Sequence, residues 1–147
     1  MTDNMKTTQH PGLIRRLLAP LYDALLLLAL LFVTTVVLMI LNQGTLQTGQ
    51  LLSYLRLPVY ITVSFLFFGW FWTHGGQTLG MKTWKMQLVQ DNGNAVTWPV
   101  ALVRFVTAML SWAAFGLGFL WSLFDSRNRT WHDIISGSTL QDLRDDR

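Results

Sequence analysis

The sequence predicts a mainly α-helical, polytopic membrane protein with two long transmembrane helices and a small cytoplasmic β-sheet. Two apolar blocks, at about residues 17–41 and 51–72, are each long enough to cross a bilayer, which takes about 20 residues. Charged residues make up 13% of the chain, about half of the share that is usual in a soluble domain. The 147 residues suit one domain. We divide them into a flexible cytoplasmic tail at 1–11, a membrane domain at 12–141 and a frayed tail at 142–147.

The first apolar block follows two arginines, Arg15 and Arg16, and contains one carboxylate, Asp23. An ionisable residue inside a membrane helix is costly, which makes Asp23 a candidate site for a proton or a cation. The alternative is a structural role, in which Asp23 forms an ion pair or a hydrogen bond that fixes helix packing. Arg16 precedes Asp23 by seven residues and therefore shares its helix face, about two turns away. Because Pro20 suits a first turn, we expect the helix to begin near Ala19 or to follow a short interfacial turn.

The second apolar block follows an uncharged polar segment at 42–50, which suits a short external loop. Arg56 lies near the start of the block, and we expect its side chain to snorkel to the outer interface. Trp70 and Trp72 close the block and are typical of an interfacial aromatic belt.

A polar, glycine-rich and basic segment at 73–85 comes next, and the positive-inside rule assigns it to the cytoplasm. The Asn92-Gly93 pair between two short apolar runs then predicts a β-hairpin at about 84–97. An isolated hairpin is marginally stable in water. We therefore expect a returning strand at about 137–141 to pair with its first strand and complete a three-stranded sheet.

The third apolar block, at 98–124, is interrupted by Gly116 and Gly118. Basic residues flank it on both sides, so the positive-inside rule favours the cytoplasm for both of its ends. An even number of passages satisfies this rule. We therefore expect a helical hairpin or a re-entrant pair, Pro99–Phe115 and Gly118–Phe124, with both termini of the chain in the cytoplasm. The alternative is a plain third span with an external C-terminus.

Three short segments stand in a characteristic order across residues 12–141. The first is RRLLAPLYDALLLL at 15–28, the second is GQTLGMK at 76–82, and the third runs from FD at 124–125 through TWHD at 130–133 to Gly137. In this combination the chain resembles the RDD family of small bacterial membrane proteins.

The family takes its name from one arginine and two aspartates, which the resemblance places at Arg16, at Asp23 and at either Asp133 or Asp125. We favour Asp133 for the second aspartate, since it stands within a His-Asp pair. The resemblance also implies a multi-pass protein of the bacterial inner membrane. Members of the family are suspected of transport, with cation/proton exchange proposed for some.

The remaining polar residues point to no catalytic or metal chemistry. We expect Arg104 either to pair with Asp125 or to snorkel to the cytoplasmic surface. His132 and Asp133 are too few for a metal site and the chain has no cysteine, so we predict neither a metal nor a cofactor. The sequence has no nucleophile elbow and no Walker spacing, which argues against an enzyme. It has no basic stripe either, which argues against a nucleic-acid partner.

Two functions are consistent with this pattern. The first is a transport component that exchanges monovalent cations and protons, in which oligomers place Asp23, Arg16 and the second aspartate along a polar path. Self-association is expected, because one chain has few helices with which to enclose a pore. The second is a non-catalytic membrane scaffold or assembly partner that binds another membrane protein. Both functions place the chain in a lipid bilayer.

Overall fold

A computed structural model describes residues 11–41, 50–125 and 129–144 of the chain. Its elements, in chain order, are α1 (Leu13–Leu41), α2 (Gln50–Thr73), α3 (Leu79–Thr83), β1 (Met86–Gln90), α4 (Trp98–Ala113), α5 (Leu117–Leu120), a 3₁₀ turn (Trp121–Leu123), α6 (Trp131–Ser136) and β2 (Ser138–Asp142). We call α3, β1, α6 and β2 together the cap. The cap packs at the start of α1 and the end of α2, and α4 packs against both α2 and the cap.

The two predicted long helices are confirmed. α1 has 29 residues and α2 has 24, which makes them about 43 and 36 Å long at about 1.5 Å per residue. Both lengths exceed the roughly 30 Å of a bilayer's hydrocarbon core. In the most apolar window of α1 no residue is buried, and large side chains such as Leu25 and Phe32 are 63% and 70% exposed. The core helix of a soluble protein would be buried, so this exposure favours lipid as the surroundings of α1.

The start of α1 differs from the prediction. The helix begins at Leu13 rather than near Ala19, so Pro20 lies inside it and donates no hydrogen bond to the Arg16 carbonyl. The cap packs tightly on this turn. A Cβ atom on Gly80 of α3 would lie 2.3 Å from the Ala19 carbonyl oxygen, so only glycine fits there. The cap therefore packs against the turn of α1 that contains Pro20.

The sheet has two strands, and the predicted hairpin at 84–97 is wrong. β1 pairs with β2 in antiparallel register, with Leu88 opposite Leu140. The other edge of β1 is already occupied, because the Leu88 N–H donates to the Gly76 carbonyl over 2.7 Å. Gly93 does form the expected tight turn, with its N–H 2.8 Å from the Gln90 carbonyl oxygen. The chain then leads into α4 with Val96 buried in the core, and no second hairpin strand forms.

The third apolar block bends near the predicted glycines. α4 ends at Ala113, and Phe115 and Gly116 both adopt left-handed φ angles, of 55° and 77°. Gly118 lies in α5 rather than in the bend, where its packing against Ser111 leaves no room for a Cβ atom. Two short helical segments therefore replace the predicted second arm. The route of this block relative to a membrane stays a prediction.

The structure describes the inner ends of the two predicted tails, at Pro11 and at Asp142, and both residues have specific contacts. Pro11 is buried and its carbonyl accepts a hydrogen bond from Arg16 Nε over 3.1 Å. At the other end, Asp142 belongs to β2 and forms an ion pair with Arg15. Residues 1–10 and 145–147 lie outside the described residues, as does most of the predicted external loop at 42–50.

Candidate functional site

The first polar cluster is centred on the Asp133 carboxylate, which is 1% exposed. Arg104 Nη1 of α4 donates to Asp133 Oδ1 over 2.6 Å. Arg16 Nη1 of α1 reaches the other oxygen, Oδ2, at 3.4 Å. The backbone N–H of Thr130 donates to Oδ2 over 3.0 Å. One buried carboxylate thus joins α1 and α4 to the N-terminus of α6.

Local sequence explains how Asp133 comes to face both arginines. Asp133 stands in the first turn of α6, where a carboxylate can accept the unpaired N–H of the residue that precedes the helix, here Thr130. Burial disfavours its charged form, but the Arg104 and Arg16 guanidiniums and the Thr130 N–H outweigh burial and lower its pKa to about 2. Asp133 is therefore ionised throughout the physiological range.

His132 and two serines complete the cluster. Burial, together with the positive charge of Arg104, lowers the pKa of His132 to about 3, so its imidazole is neutral at pH 7. Arg104 Nη1 also donates to Ser138 Oγ over 2.8 Å, and the Ser138 and Ser136 hydroxyls lie 2.7 Å apart. Neither serine belongs to the RDD-like segments, and no signal in the sequence marks them.

Asp23 occupies a separate site two turns along α1. It is 2% exposed and accepts hydrogen bonds from the Thr78 hydroxyl and from the Gly80 N–H, the latter over 2.8 Å. The Thr78 hydroxyl in turn accepts the Met81 N–H and so caps α3. Asp23 therefore bonds α1 to the start of α3. The sequence marks Thr78 and Gly80 as parts of the GQTLGMK segment but does not predict that they contact Asp23. That contact depends on the fold.

The other predicted site residues have different partners from those expected. Asp125 accepts the backbone N–H of Arg129 over 2.9 Å, and it lies close enough to Arg16 for their charges to interact. The prediction that Arg104 pairs with Asp125 or snorkels is wrong, because Arg104 is 3% exposed and bonds to Asp133. Trp72, expected in an aromatic belt, is instead buried beneath Arg104, with the guanidinium carbon 5.4 Å from the centre of its ring.

A second ion pair joins the end of β2 to the start of α1. Arg15 donates to the Asp142 carboxylate and to the Trp84 carbonyl, and Arg144 approaches the same carboxylate at 3.1 Å. The hydrogen bond from Arg15 is the main reason why the pKa of Asp142 is lowered. Arg15 thus joins the start of α1 to the cap.

A cavity of about 500 Å³ lies between α1, α2, α4 and the cap. Its polar wall contains Arg16, Asp23, Arg104, Thr130 and His132. Most of the other lining residues are apolar, among them Leu27, Ile61, Phe68, Met81, Met109 and Trp112. A mainly apolar cavity of this size with a few convergent polar groups is typical of a binding site for a small molecule. Within the described residues, no three His, Asp or Glu side chains are grouped to hold a metal ion.

Comparison with known proteins gives one clear relationship. No curated protein matches the chain, and no solved structure matches it. The RDD family matches residues 10–137, which is most of the chain and includes Arg16, Asp23 and Asp133. Together with the two exposed apolar helices, this match indicates a membrane protein. The chain belongs to the RDD family.

Proposed function

We propose that the protein is a small multi-pass component of the bacterial inner membrane that transports protons or monovalent cations. In this proposal α1 and α2 cross the bilayer and the cap lies in the cytoplasm with both termini. Basic side chains at the cap end of the two helices, including Arg15, Lys82 and Lys85, support this orientation through the positive-inside rule. The chain catalyses no covalent reaction and needs no cofactor.

The observation that carries the proposal is the position of Asp23. It is a buried carboxylate within a long apolar helix, and it borders a cavity that reaches between three helices. Ionisable groups in such positions commonly mark ion or proton pathways. Thr78 and Gly80 hold the two carboxylate oxygens in a defined orientation, so an entering cation or proton would meet a preformed acceptor.

Transport by this route requires more than one chain. From Ala24 to Leu41 the sequence of α1 contains no charged residue, so α1 offers no charged group that would continue the path beyond Asp23. The Thr35 and Tyr60 hydroxyls, 2.9 Å apart, are a polar contact between α1 and α2 in that region. We therefore propose a homo-oligomer, in which neighbouring copies complete the pathway.

The test is ion-dependent proton flux in vesicles reconstituted with the pure protein. Asn has the shape of Asp without its charge, so Asp23→Asn should keep the fold and reduce flux at least about tenfold, the effect of a change of about 1.4 kcal/mol. Asp91→Asn, which changes an exposed carboxylate in the turn after β1, is the matched control and should leave flux unchanged. Equal flux from Asp23→Asn and wild-type protein would exclude Asp23 as the transporting group.

A membrane scaffold or assembly partner is the second candidate, and two observations favour it. Asp23 and Asp133 both bond separate elements together, as structural groups do. The cap also exposes two apolar side chains, Ile134 and Ile135, at 40% and 60%. The scaffold function predicts no flux from the pure wild-type protein and a stable complex with another membrane protein that Ile135→Ser weakens.

A further inference from the structure

Arg104 is a buried guanidinium with most of its donors unused. It is 97% buried, and both of its hydrogen bonds, to Asp133 and Ser138, come from Nη1. Among the described residues its Nε has no hydrogen-bond partner, and its Nη2 donates no hydrogen bond to any of them. The Nε and Nη2 atoms form one edge of the guanidinium, and such an edge matches the spacing of two oxygens in a phosphate or a carboxylate.

A second unused donor belongs to Trp72, whose ring neighbours the Arg104 guanidinium. The Trp72 ring packs beneath the Arg104 guanidinium, and the Trp72 Nε1–H is buried without a hydrogen-bond partner in the described part of the chain. Both residues line the cavity between α1, α2 and α4. A buried donor that finds no acceptor destabilises the folded protein. Arg104 and Trp72 are neighbours that both line the cavity, and each has a buried donor without an acceptor. Together they indicate a binding site for a group that accepts hydrogen bonds.

The rest of the cavity indicates which chemical group the hydrogen-bond acceptor carries. Away from Arg104 most of the lining is apolar, with Asp23, Tyr60 and Ser64 as the polar exceptions, and it extends along α1 from Arg16 to Leu27, about 16 Å of helix. Three lining residues at this apolar end, Ile61, Met109 and Trp112, are 37%, 42% and 68% exposed. The cavity therefore opens onto the apolar outer surface of the helices, where acyl chains would lie.

We propose that this cavity binds one glycerophospholipid, with phosphate oxygens on the free edge of Arg104 and on Trp72 Nε1, and an acyl chain along the apolar wall. A phosphate can accept several hydrogen bonds at once, so one phosphate can satisfy the fixed donors on both side chains. The proposal does not depend on the transport proposal, because its hydrogen-bond donors are Arg104 and Trp72 and it assigns no role to Asp23.

The experiment is native mass spectrometry of detergent-released protein titrated with three probes. These are dioleoyl phosphatidylglycerol, dioleoylglycerol, which lacks the phosphate, and glycerol phosphate, which lacks the chains. We expect one phosphatidylglycerol to bind and the other two probes to bind at least about tenfold more weakly, since each lacks one half of the recognised structure. Equal binding of dioleoylglycerol would show that the phosphate is not recognised. Equal binding of glycerol phosphate would show that the chains are not.

Two variants test the site itself, each with a matched control. Trp72→Phe keeps a ring beneath Arg104 but removes the N–H, and should weaken phosphatidylglycerol binding about tenfold, as expected for one hydrogen bond to a charged group. Its control is Trp70→Phe, two residues away on the same helix and 58% exposed. Ala108→Leu fills the apolar wall and should also weaken binding, with the exposed Ala113→Leu as its control. Variants that bind as their controls do, or a dimer that excludes the lipid, would overturn the proposal.

Discussion

At the scale of single residues, His132 gives the cap its strongest dependence on pH. The imidazole is 6% exposed and faces Arg104, Arg16 and Asp133, so protonation would add a third cation to the cluster. Its pKa is about 3 in the folded protein and about 6.5 in an unfolded chain. Between these values the unfolded chain binds more protons than the folded one. Stability should therefore fall as the pH is lowered through this range.

We predict that the free energy of unfolding of the cap decreases by up to about 1.4 kcal/mol per pH unit between pH 6 and pH 4. His132→Gln, which cannot be protonated, should remove most of that slope. The measurement is chemical or thermal unfolding in a neutral detergent at several pH values. Asp133, with a folded pKa of about 2, loses its contribution only below about pH 4, so it does not interfere. The same slope in both proteins would show that His132 is not buried in its neutral form.

At the scale of elements, the cap depends on pairing between segments that are far apart in the sequence. β1 and β2 are separated by α4, α5 and α6, yet they are the two strands of one sheet. The predicted hairpin would have paired neighbours instead. The difference arises because Gly76 and Gln77 occupy the free edge of β1, with Gln77 Nε2 donating to the Met86 carbonyl over 2.8 Å.

The register of the sheet can be tested with cysteines, because the chain has none of its own. Gln87 lies directly opposite Gln141. Opposite Cα atoms in an antiparallel pair are about 4.5–5.5 Å apart, within the range that a disulfide accepts. We predict that a Gln87→Cys/Gln141→Cys protein oxidises readily to a cross-linked form, visible by its altered mobility in a denaturing gel. Gln87→Cys combined with Thr139→Cys, two residues out of register, should cross-link poorly. Preferential cross-linking of this offset pair would contradict the register.

At the scale of the whole molecule, the cap brings the start of α1 and the end of β2 together. Arg15, near the start of α1, holds Asp142 at the end of β2, and Arg16 reaches Asp133 of α6. These contacts keep the described C-terminal residues beside the start of α1. If α1 crosses a membrane, Arg15 at the start of α1 and Asp142 of β2 therefore lie on the same side of it.

We predict that a reporter fused after Arg147 reports the cytoplasm, as one fused before Met1 does. The charge distribution supports this side, since Arg15, Lys82 and Lys85 lie near the cap. A reporter at 45, within the predicted external loop, is the control and should report the opposite side. External labelling at the C-terminus would favour the plain third span and would conflict with the contact between Arg15 and Asp142.

Much of the architecture can be predicted from the sequence, because the relevant signals are local. The length and apolar character of α1 and α2 are properties of continuous segments, and so is the bend near Gly116. The strand β2 and its pairing with β1 were also predicted, because a short strand needs a hydrogen-bonding partner along its edge. The hairpin signal at Asn92-Gly93 predicted its turn correctly, but a turn does not decide which strand pairs with β1.

Membership of the RDD family and the two helices long and apolar enough to cross a membrane follow from the order of residues alone. The partners of the buried polar groups are known only from the folded structure. Asp23 bonds to Thr78 across 55 residues and Arg16 to Asp133 across 117. The physical reason is that apolar length is a sum over neighbouring residues, whereas a buried charge is stabilised by whatever groups packing brings to it.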